Sequence, residues 1–360
     1  MKWSLRIAKI SGIDIYLHWT FLILLAWMGF GTLSNLESGT GMGQFGLVLL
    51  LFLFVLLHEL GHALTGQRFG VKTAHITLLP IGGVASMERM PEKPWQEFWI
   101  AIAGPAVNLA IALLIGGVLL LSGRWDPSAI RTDYDPGNFA GNLLAVNLVL
   151  FLFNLIPAFP MDGGRILRAL LSLRFDRAKA TQIAARIGQV LAICFVFIGL
   201  YSNVWLVFIG IFIYLGAGTE ANYEGTHSIL AKYKVRDALM HRHTVLQSHQ
   251  TLREAIQLLL DGQEKEFLVA AEGNIMGAIT RDELIAGLHR AGMDSPLANI
   301  ANRGLLHLHP DQPLEEVFLQ MSNQKLEICP VYEGEVLIGV LNRENVIELL
   351  MIARAGTGSL

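Results

Sequence analysis

Apolar residues crowd the first 220 positions of the chain, in runs of the length that membrane-spanning helices need. A helix that crosses a bilayer contains about 20 mainly apolar residues. Six candidate spans follow one another, at 15–34, 43–64, 98–122, 140–160, 187–201 and 203–219. The last two are short and are separated only around Ser202 and Asn203, so one long element there stays an open alternative.

Composition supports a membrane protein followed by a soluble region. The chain has 360 residues, of which 53% are hydrophobic and 16% are charged, whereas soluble chains carry about 25% charged residues. A net charge of -3 gives no indication of a nucleic-acid partner. We therefore expect a polytopic α-helical membrane domain at 1–220, a linker at 221–234 and a soluble α/β domain at 235–355.

Basic residues predict the orientation of the spans. Lys and Arg concentrate before the first span, after the second and after the fourth, and the last group includes Arg165, Arg174 and Lys179. Connections rich in Lys and Arg stay on the cytoplasmic side. Six spans then place both termini in the cytoplasm of a multi-pass membrane protein.

The stretch 71–88, between the second and third spans, has the composition of short strands rather than of helix. It is β-branched and apolar, with Pro80 and the Gly82-Gly83 pair near its middle. Unpaired backbone cannot face lipid, so strands at this depth must be buried in protein or line a cavity. We therefore predict a small membrane-embedded β segment.

The second span ends in HELGH, residues 58–62, which matches H-E-x-x-H. On a helix, His58 and His62 lie one turn apart on one face and can bind one metal ion, with Glu59 beside them as the proton acceptor. Polar side chains inside an apolar span are costly, which favours a functional reason for them.

A third ligand is expected at the end of the fourth span, in NLIPAFPMDGGR at 154–165. Asp162 follows Pro157 and Pro160 and precedes a Gly pair, which breaks the helix and turns the carboxylate aside. The second and fourth spans both run inward, so His58, His62 and Asp162 are predicted to reach the same membrane face and a similar depth.

HELGH, the N-x-x-P-x-x-P-x-D-G pattern at 154–163 and GPAVN at 104–108 together resemble the site-2 protease family of intramembrane zinc metalloproteases. The resemblance implies a metalloendopeptidase with one zinc ion per chain, bound by His58, His62 and Asp162. It implies that Glu59 activates water, and that the substrate is a transmembrane protein cleaved in or near its membrane segment.

The resemblance also gives roles to two asparagines and to the β segment. Asn108 and Asn154 match positions that hydrogen-bond substrate backbone or stabilise the oxyanion. From the residues alone, an interhelical hydrogen bond is the alternative role of Asn108. The β segment would present the substrate as an added strand.

The soluble region contains an internal repeat at an offset of 62 residues. FLVAAEGNIMGAITRDELI at 267 matches CPVYEGEVLIGVLNRENVI at 329, and TLREAIQLLL at 251 matches PLEEVFLQMS at 313. The pattern resembles a tandem pair of cystathionine-β-synthase (CBS) domains, with copies at about 235–290 and 296–352. Site-2 proteases of the sporulation type carry such a pair after the membrane domain, which implies a prokaryotic cell membrane.

A CBS pair implies an adenine nucleotide such as ATP, and homodimerisation. Four positions would contact the nucleotide: Thr280, Glu283, Asn342 and Asn345. The second copy departs from the family pattern because it has asparagine where a hydroxyl residue and an acid are usual. A dimerising or substrate-docking module is the alternative.

A CBS-regulated metal transporter or channel could use the same His and Asp residues as a transit site. It would have no special need for Glu59, and it would place polar residues along several spans. The first, fifth and sixth spans contain no acidic residue. This pattern favours the protease.

Overall fold

The chain folds into two compact units, Met1–Glu224 and Gly225–Leu360. The computed structural model describes residues 4–34, 40–80, 82–87, 91, 93–125, 138–262 and 264–357. The first unit contains the apolar helices, and the second contains the repeated segments.

Helices form most of the described part of the first unit. They are α1 (Trp19–Ser34), α2 (Thr40–Arg68), α3 (Pro94–Leu121), α4 (Phe139–Asn154), α5 (Asp162–Leu171), α6 (Arg177–Ser202) and α7 (Val204–Leu230). Among the described residues, α2, α3, α6 and α7 are long and apolar enough to cross a membrane, whereas α1 and α4 are shorter apolar helices. The protein is therefore an α-helical membrane protein. The segment predicted as a linker, 221–234, largely consists of the last turns of α7.

The last two apolar runs form two helices rather than one. α6 ends at Ser202, and the backbone N–H of Leu206 donates to the carbonyl of Asn203 at 2.9 Å. The Asn203 side chain accepts from the Trp205 N–H at 2.9 Å, so it caps the start of α7. The two helices then pack closely at Gly199, where an added Cβ would lie 2.7 Å from the Val207 nitrogen.

A four-stranded sheet lies beside the helices. Its strands are β1 (Ser4–Ile10), β2 (Ile13–His18), β3 (Thr73–Leu79) and β4 (Gly82–Met87), in the order β1-β2-β3-β4. β2 and β3 are parallel, and the other two pairs are antiparallel. The strands predicted within 71–88 are β3 and β4.

The first predicted span began too early, because residues 15–18 belong to β2. An apolar run by itself does not distinguish a strand from a helix. Here Ile13 packs in a buried cluster with Leu60 of α2, while its neighbour Asp14 forms a 2.7 Å ion pair with Arg6 of β1. The sheet therefore packs against the end of α2 that carries HELGH.

The second unit contains two related αβ modules. The first has β5 (Val245–Gln247), α8 (Leu252–Asp261), β6 (Glu266–Ala271), β7 (Asn274–Thr280) and α9 (Arg281–Ala291); the second has α10 (Leu314–Gln324), β8 (Ile328–Glu333), β9 (Val336–Asn342) and α11 (Arg343–Thr357). The parallel pairing of Leu246 with Val269 recurs 62 residues later as a bridge between Leu308 and Val331. The two modules therefore share one arrangement of strands and helices, as the internal repeat predicts.

Candidate metal centre

α2 carries two histidines into the interior of the first unit. The rings of His58 and His62 lie 4.7 Å apart, edge to face, and their residues are 7% and 2% exposed. A spacing of four residues places both on one face of the helix. The apolar residues before them thus lead to a buried pair of imidazoles.

Asp162 reaches the same point from the start of α5. The chain leaves α4 after Asn154 and passes through a tight turn before the helix begins. An added Cβ at Gly163 would lie 2.2 Å from the Ile156 carbonyl oxygen, and one at Gly164 would lie 2.6 Å from the Ala158 carbonyl carbon. The glycine pair therefore lets α5 start directly against the turn and fixes the position of Asp162.

The three side chains form an equilateral triangle of ligand atoms. Asp162 Oδ2 lies 3.1 Å from the Nε2 atoms of both His58 and His62, and the two Nε2 atoms are 3.1 Å apart. Among the described residues, this is the group of His, Cys, Asp and Glu side chains placed to bind a metal. A tetrahedral zinc ion with bonds of about 2.0–2.1 Å separates its ligand atoms by roughly 3.3 Å. The predicted set is therefore brought together, and its spacing fits zinc.

α3 determines which ring nitrogens point into this triangle. His58 Nδ1–H donates to Asn108 Oδ1 at 2.8 Å, and His62 Nδ1–H donates to the carbonyl oxygen of Ile100 at 2.7 Å. Both Nε2 atoms then present lone pairs to the Asp162 carboxylate. Converging lone pairs of this kind need a proton or a cation between them, and such Nδ1 contacts are typical of metal-bound histidines.

α3 also approaches the triangle closely, and Gly104 makes this possible. An added Cβ at Gly104 would lie 2.2 Å from His62 Nε2 and 2.7 Å from His58 Nε2. Pro105, inside the same helix, has no N–H to donate to the helix backbone. The close approach of α3 thus explains why the GPAVN segment has glycine at position 104 and asparagine at position 108.

The side chain of Glu59, a residue of α2, lies against β4. It is half-buried, and an added Cβ at Gly83 of β4 would lie 2.6 Å from its Cγ. The glycine therefore leaves room for the acid next to His58. β4 is an edge strand of the described sheet, so Glu59 lies beside this edge.

The two asparagines differ in their surroundings. Asn108 is fully buried, and its Nδ2 has no hydrogen-bond partner among the described residues, so only its oxygen is used. Asn154 is half-buried at the end of α4, and its Nδ2 donates to the Leu150 carbonyl at 3.0 Å. The hydrogen bond from His58 to Asn108 joins α2 to α3, so it is an interhelical hydrogen bond, as the alternative predicted, and its partner is a predicted metal ligand.

The four predicted nucleotide contacts lie in the second unit, and three of them form hydrogen bonds with other protein groups. Thr280 and Glu283 form a capping box at the start of α9. Asn342 Nδ2 donates to the carboxylate of Glu266 at 2.7 Å, and Asn345 is half-buried in α11. Burial raises the pKa of Glu266, and Glu344 and Glu327 raise it further.

Sequence reasoning missed several residues that shape the metal centre. Ile100, Gly104 and Gly83 act through backbone or through the lack of a side chain, and no residue type marks such roles. Arg168 was one of the basic residues after the fourth span, yet it is 2% exposed and ion-paired to Glu97. A charge run gives no signal that one of its members is buried.

Comparison with known proteins identifies the class. Residues 46–132 and 132–198 match the model of peptidase family M50, and residues 297–352 match the CBS domain. The chain is 33% identical over 356 residues to zinc metalloprotease MJ0392 of Methanocaldococcus jannaschii, covering 98% of this chain and 97% of that one. It is 30% identical over 380 residues to putative zinc metalloprotease Rip3 of Mycobacterium tuberculosis, covering 98% and 94%.

A sporulation protein and a solved protease structure are also similar to the chain. Stage IV sporulation protein FB of Bacillus subtilis is 26% identical over 283 residues, covering 75% of this chain and 83% of that protein. The solved structure of the site-2 protease from Methanocaldococcus jannaschii is 42% identical, covers 61% of this chain and 95% of that one, and superposes with a TM-score of 0.43.

The chain belongs to peptidase family M50. The predicted membership of the site-2 protease family is confirmed, and so is the prediction of a metalloendopeptidase with a CBS pair. The relatives do not favour the transporter alternative.

Proposed function

We propose that the protein cleaves a peptide bond in or beside a transmembrane segment of a membrane-protein substrate, at a zinc ion held by His58, His62 and Asp162. One observation carries the proposal. Three ligand atoms converge 3.1 Å from one another inside a unit of membrane-length apolar helices. Such a site reaches peptide bonds that a soluble protease cannot.

Glu59 acts as the general base and then as the general acid. A bound zinc ion supplies Lewis-acid chemistry, polarising a carbonyl and acidifying water. The Glu59 carboxylate accepts the proton of the attacking water and returns it to the leaving amine. Its place next to His58 on α2 and against Gly83 of β4 supports both steps.

The two asparagines have different parts in this proposal. Asn108 holds His58 with Nε2 towards the metal, and its amide nitrogen Nδ2 has no hydrogen-bond partner among the described residues. Asn154 hydrogen-bonds the substrate backbone or the developing oxyanion. Its position at the end of α4, eight residues before Asp162, supports this role.

The substrate enters as an added strand on β4. Within the described sheet, β4 pairs on one side only, with β3, and Val84 is 53% exposed. Strand addition satisfies the backbone of an unwound substrate, which is costly to expose in a membrane. The sheet is accordingly embedded in the bilayer, with Glu59 beside its edge.

Six helices cross the membrane, because α1 and α4 span it together with α2, α3, α6 and α7. α1 and α4 have 16 residues each, about 24 Å of helix, so the bilayer thins there or flanking residues complete the crossing. Both termini then lie in the cytoplasm of a prokaryotic cell. A cytoplasm-dependent reporter joined to either terminus should be active, and an inactive reporter would reverse the orientation.

The domains follow from this arrangement: a protease domain at 1–220, a connection at 221–234 and a CBS pair at 235–355. The CBS pair binds an adenine nucleotide, forms a homodimer and modulates substrate access. Titration of the full-length protein in detergent with ATP and AMP should give saturable heat. Absence of heat at millimolar nucleotide would favour a docking module instead.

Zinc analysis tests the metal site. Purified protein should contain one zinc ion per chain, and Asp162→Ala should lose it, because two imidazoles alone bind far more weakly than three ligands. Asp176→Ala is the control, since Asp176 is an exposed cap of α6. Unchanged zinc in Asp162→Ala would remove Asp162 from the ligand set.

A further inference from the structure

A second group of charged side chains, each buried or half-buried, lies in the first unit, separate from the metal ligands. It joins Glu97 of α3, Arg168 of α5, Arg177 of α6 and two acids of α7, Glu220 and Glu224. Glu97 is 0% exposed and Arg168 is 2% exposed. The proposed reaction uses none of them directly.

The contacts form a continuous network. Arg168 donates from Nε to Glu97 Oε1 at 2.7 Å and from one terminal nitrogen to Glu220 Oε1 at 2.5 Å. Arg177 donates to the other Glu97 oxygen at 2.6 Å and to Glu224 at 3.1 Å. Glu97 therefore accepts from both arginines, and the network ties α5 to α3, α6 and α7.

Apolar side chains could pack these four helices together with less desolvation. Buried ion pairs are expensive to form and often give no net stability over well-packed apolar residues. In a membrane domain, a buried ionisable group is a functional hypothesis by default. We therefore expect the arginines and acids to have a functional role in addition to holding the helices together.

Both residues of the Arg168–Glu97 pair lie close in sequence to residues that form the metal centre. Arg168 is on α5, the helix that Asp162 begins, and its guanidinium carbon lies 5.1 Å from the centre of the Phe159 ring. Phe159 belongs to the turn that leads into Asp162. Glu97 lies one turn before Ile100, whose carbonyl accepts from His62.

The same turn is confined from α7. An added Cβ at Gly216 would lie 2.7 Å from Pro160 Cδ, and Gly216 is one turn before Glu220. α7 thus contacts the turn before Asp162 and, through Glu220, the helix after it. The position of Asp162 therefore depends both on the contacts of the turn before it and on the contacts of α5 after it.

We propose that Arg168 and Glu97 are positioning residues that hold Asp162 at the correct place relative to His58 and His62. The contact is two-pronged, because Arg168 Nε and Nη2 both reach Glu97 Oε1, at 2.7 and 2.6 Å. It fixes α5 against α3, so Asp162 at the start of α5 is held next to the two histidines whose rings α3 orients. This inference rests on the proposed zinc site. It predicts that the network affects the affinity and geometry of the metal and not only the stability of the fold.

The test measures metal binding by full-length protein in detergent. Zinc affinity is obtained by competition with a chromogenic chelator, and site geometry from the visible absorption of the cobalt-substituted protein. Arg168→Met and Glu97→Gln should each weaken zinc binding about tenfold or more and change the cobalt spectrum. Arg168→Lys, which keeps the charge but not the two-pronged contact, should fall between them and the native protein.

Arg174→Met is the matched control, because Arg174 is exposed just beyond α5 and should bind zinc as the native protein does. Should Arg168→Met fail to fold, the nearly isosteric Glu97→Gln decides. Native zinc affinity and cobalt spectrum in Glu97→Gln and Arg168→Lys would overturn the inference, even with a lower melting temperature. A native protein that binds no zinc would overturn the proposed function as well.

Discussion

His58 Nε2 and Asp162 Oδ2 lie 3.1 Å apart, although 104 positions separate the two residues along the chain. The contact joins the C-terminal half of α2 to the start of α5, and α3 lies against both histidines. The site therefore exists only when three separate helices are packed together. Its most informative variants change that packing without removing a ligand.

Gly104→Ala should abolish zinc binding while all three ligands remain. The new methyl group would lie 2.2 Å from His62 Nε2 and 2.7 Å from His58 Nε2, so α3 or the imidazoles must move. Gly117→Ala on the same helix meets nothing within 4 Å and serves as the control. Zinc content of the two purified variants is the measurement. Full zinc occupancy in Gly104→Ala would show that α3 does not lie this close.

Asn108→Ala and Asn154→Ala should fail in different ways. Loss of the Asn108 oxygen frees the His58 ring, and we expect zinc affinity to fall about 10–100-fold, as for other residues that orient a metal ligand. Asn154→Ala should retain zinc and lower the rate of cleavage, because its proposed contact is with the substrate. Chelator competition and a cleavage assay separate the two. The assignment fails if Asn108→Ala keeps native affinity.

Gly83→Ala should slow cleavage and leave zinc in place. A Cβ there would lie 2.6 Å from Glu59 Cγ, so the carboxylate would be displaced from its position beside His58. Ser86→Ala, at an exposed position on the same strand, is the matched control. Cleavage at the native rate by Gly83→Ala would argue against the placement of Glu59 at the β4 edge.

Cys329 should resist alkylation in the folded protein. Burial raises the pKa of its thiol to about 11, so almost no thiolate is present at pH 8. The raised pKa also means that stability from the protonated thiol is present below pH 9 and is lost as the pH rises towards 11. Mass spectrometry after iodoacetamide treatment, with and without denaturant, checks this. Rapid labelling without denaturant would contradict the packing of the second CBS copy.

Features that rest on residue type and spacing could be predicted from the sequence. The helical spacing of His58 and His62, the Pro and Gly residues around Asp162, and the 62-residue repeat each have a direct structural consequence. The orientation rule linked two motifs a hundred positions apart because it predicts that both lie at the cytoplasmic ends of their spans, and the 3.1 Å contact between His58 and Asp162 is what that prediction requires.

Features that depend on tertiary contacts could not be predicted. β2 is short and largely apolar, and its pairing with β3 distinguishes it from the start of the helix that follows it. The role of Ile100 belongs to its carbonyl, which any residue has. The burial of Arg168 depends on Glu97, 71 positions away, and no local pattern indicates that pairing.

The most direct test of the account compares the native protein with Glu59→Gln in a cleavage assay on a single-span membrane substrate. Zinc content is measured on both, so that the loss of the base is separated from loss of the metal. We predict equal zinc and a rate about 10²–10⁴-fold lower in Glu59→Gln, the usual contribution of a general base. Equal cleavage by the two proteins at equal zinc would contradict the proposed mechanism.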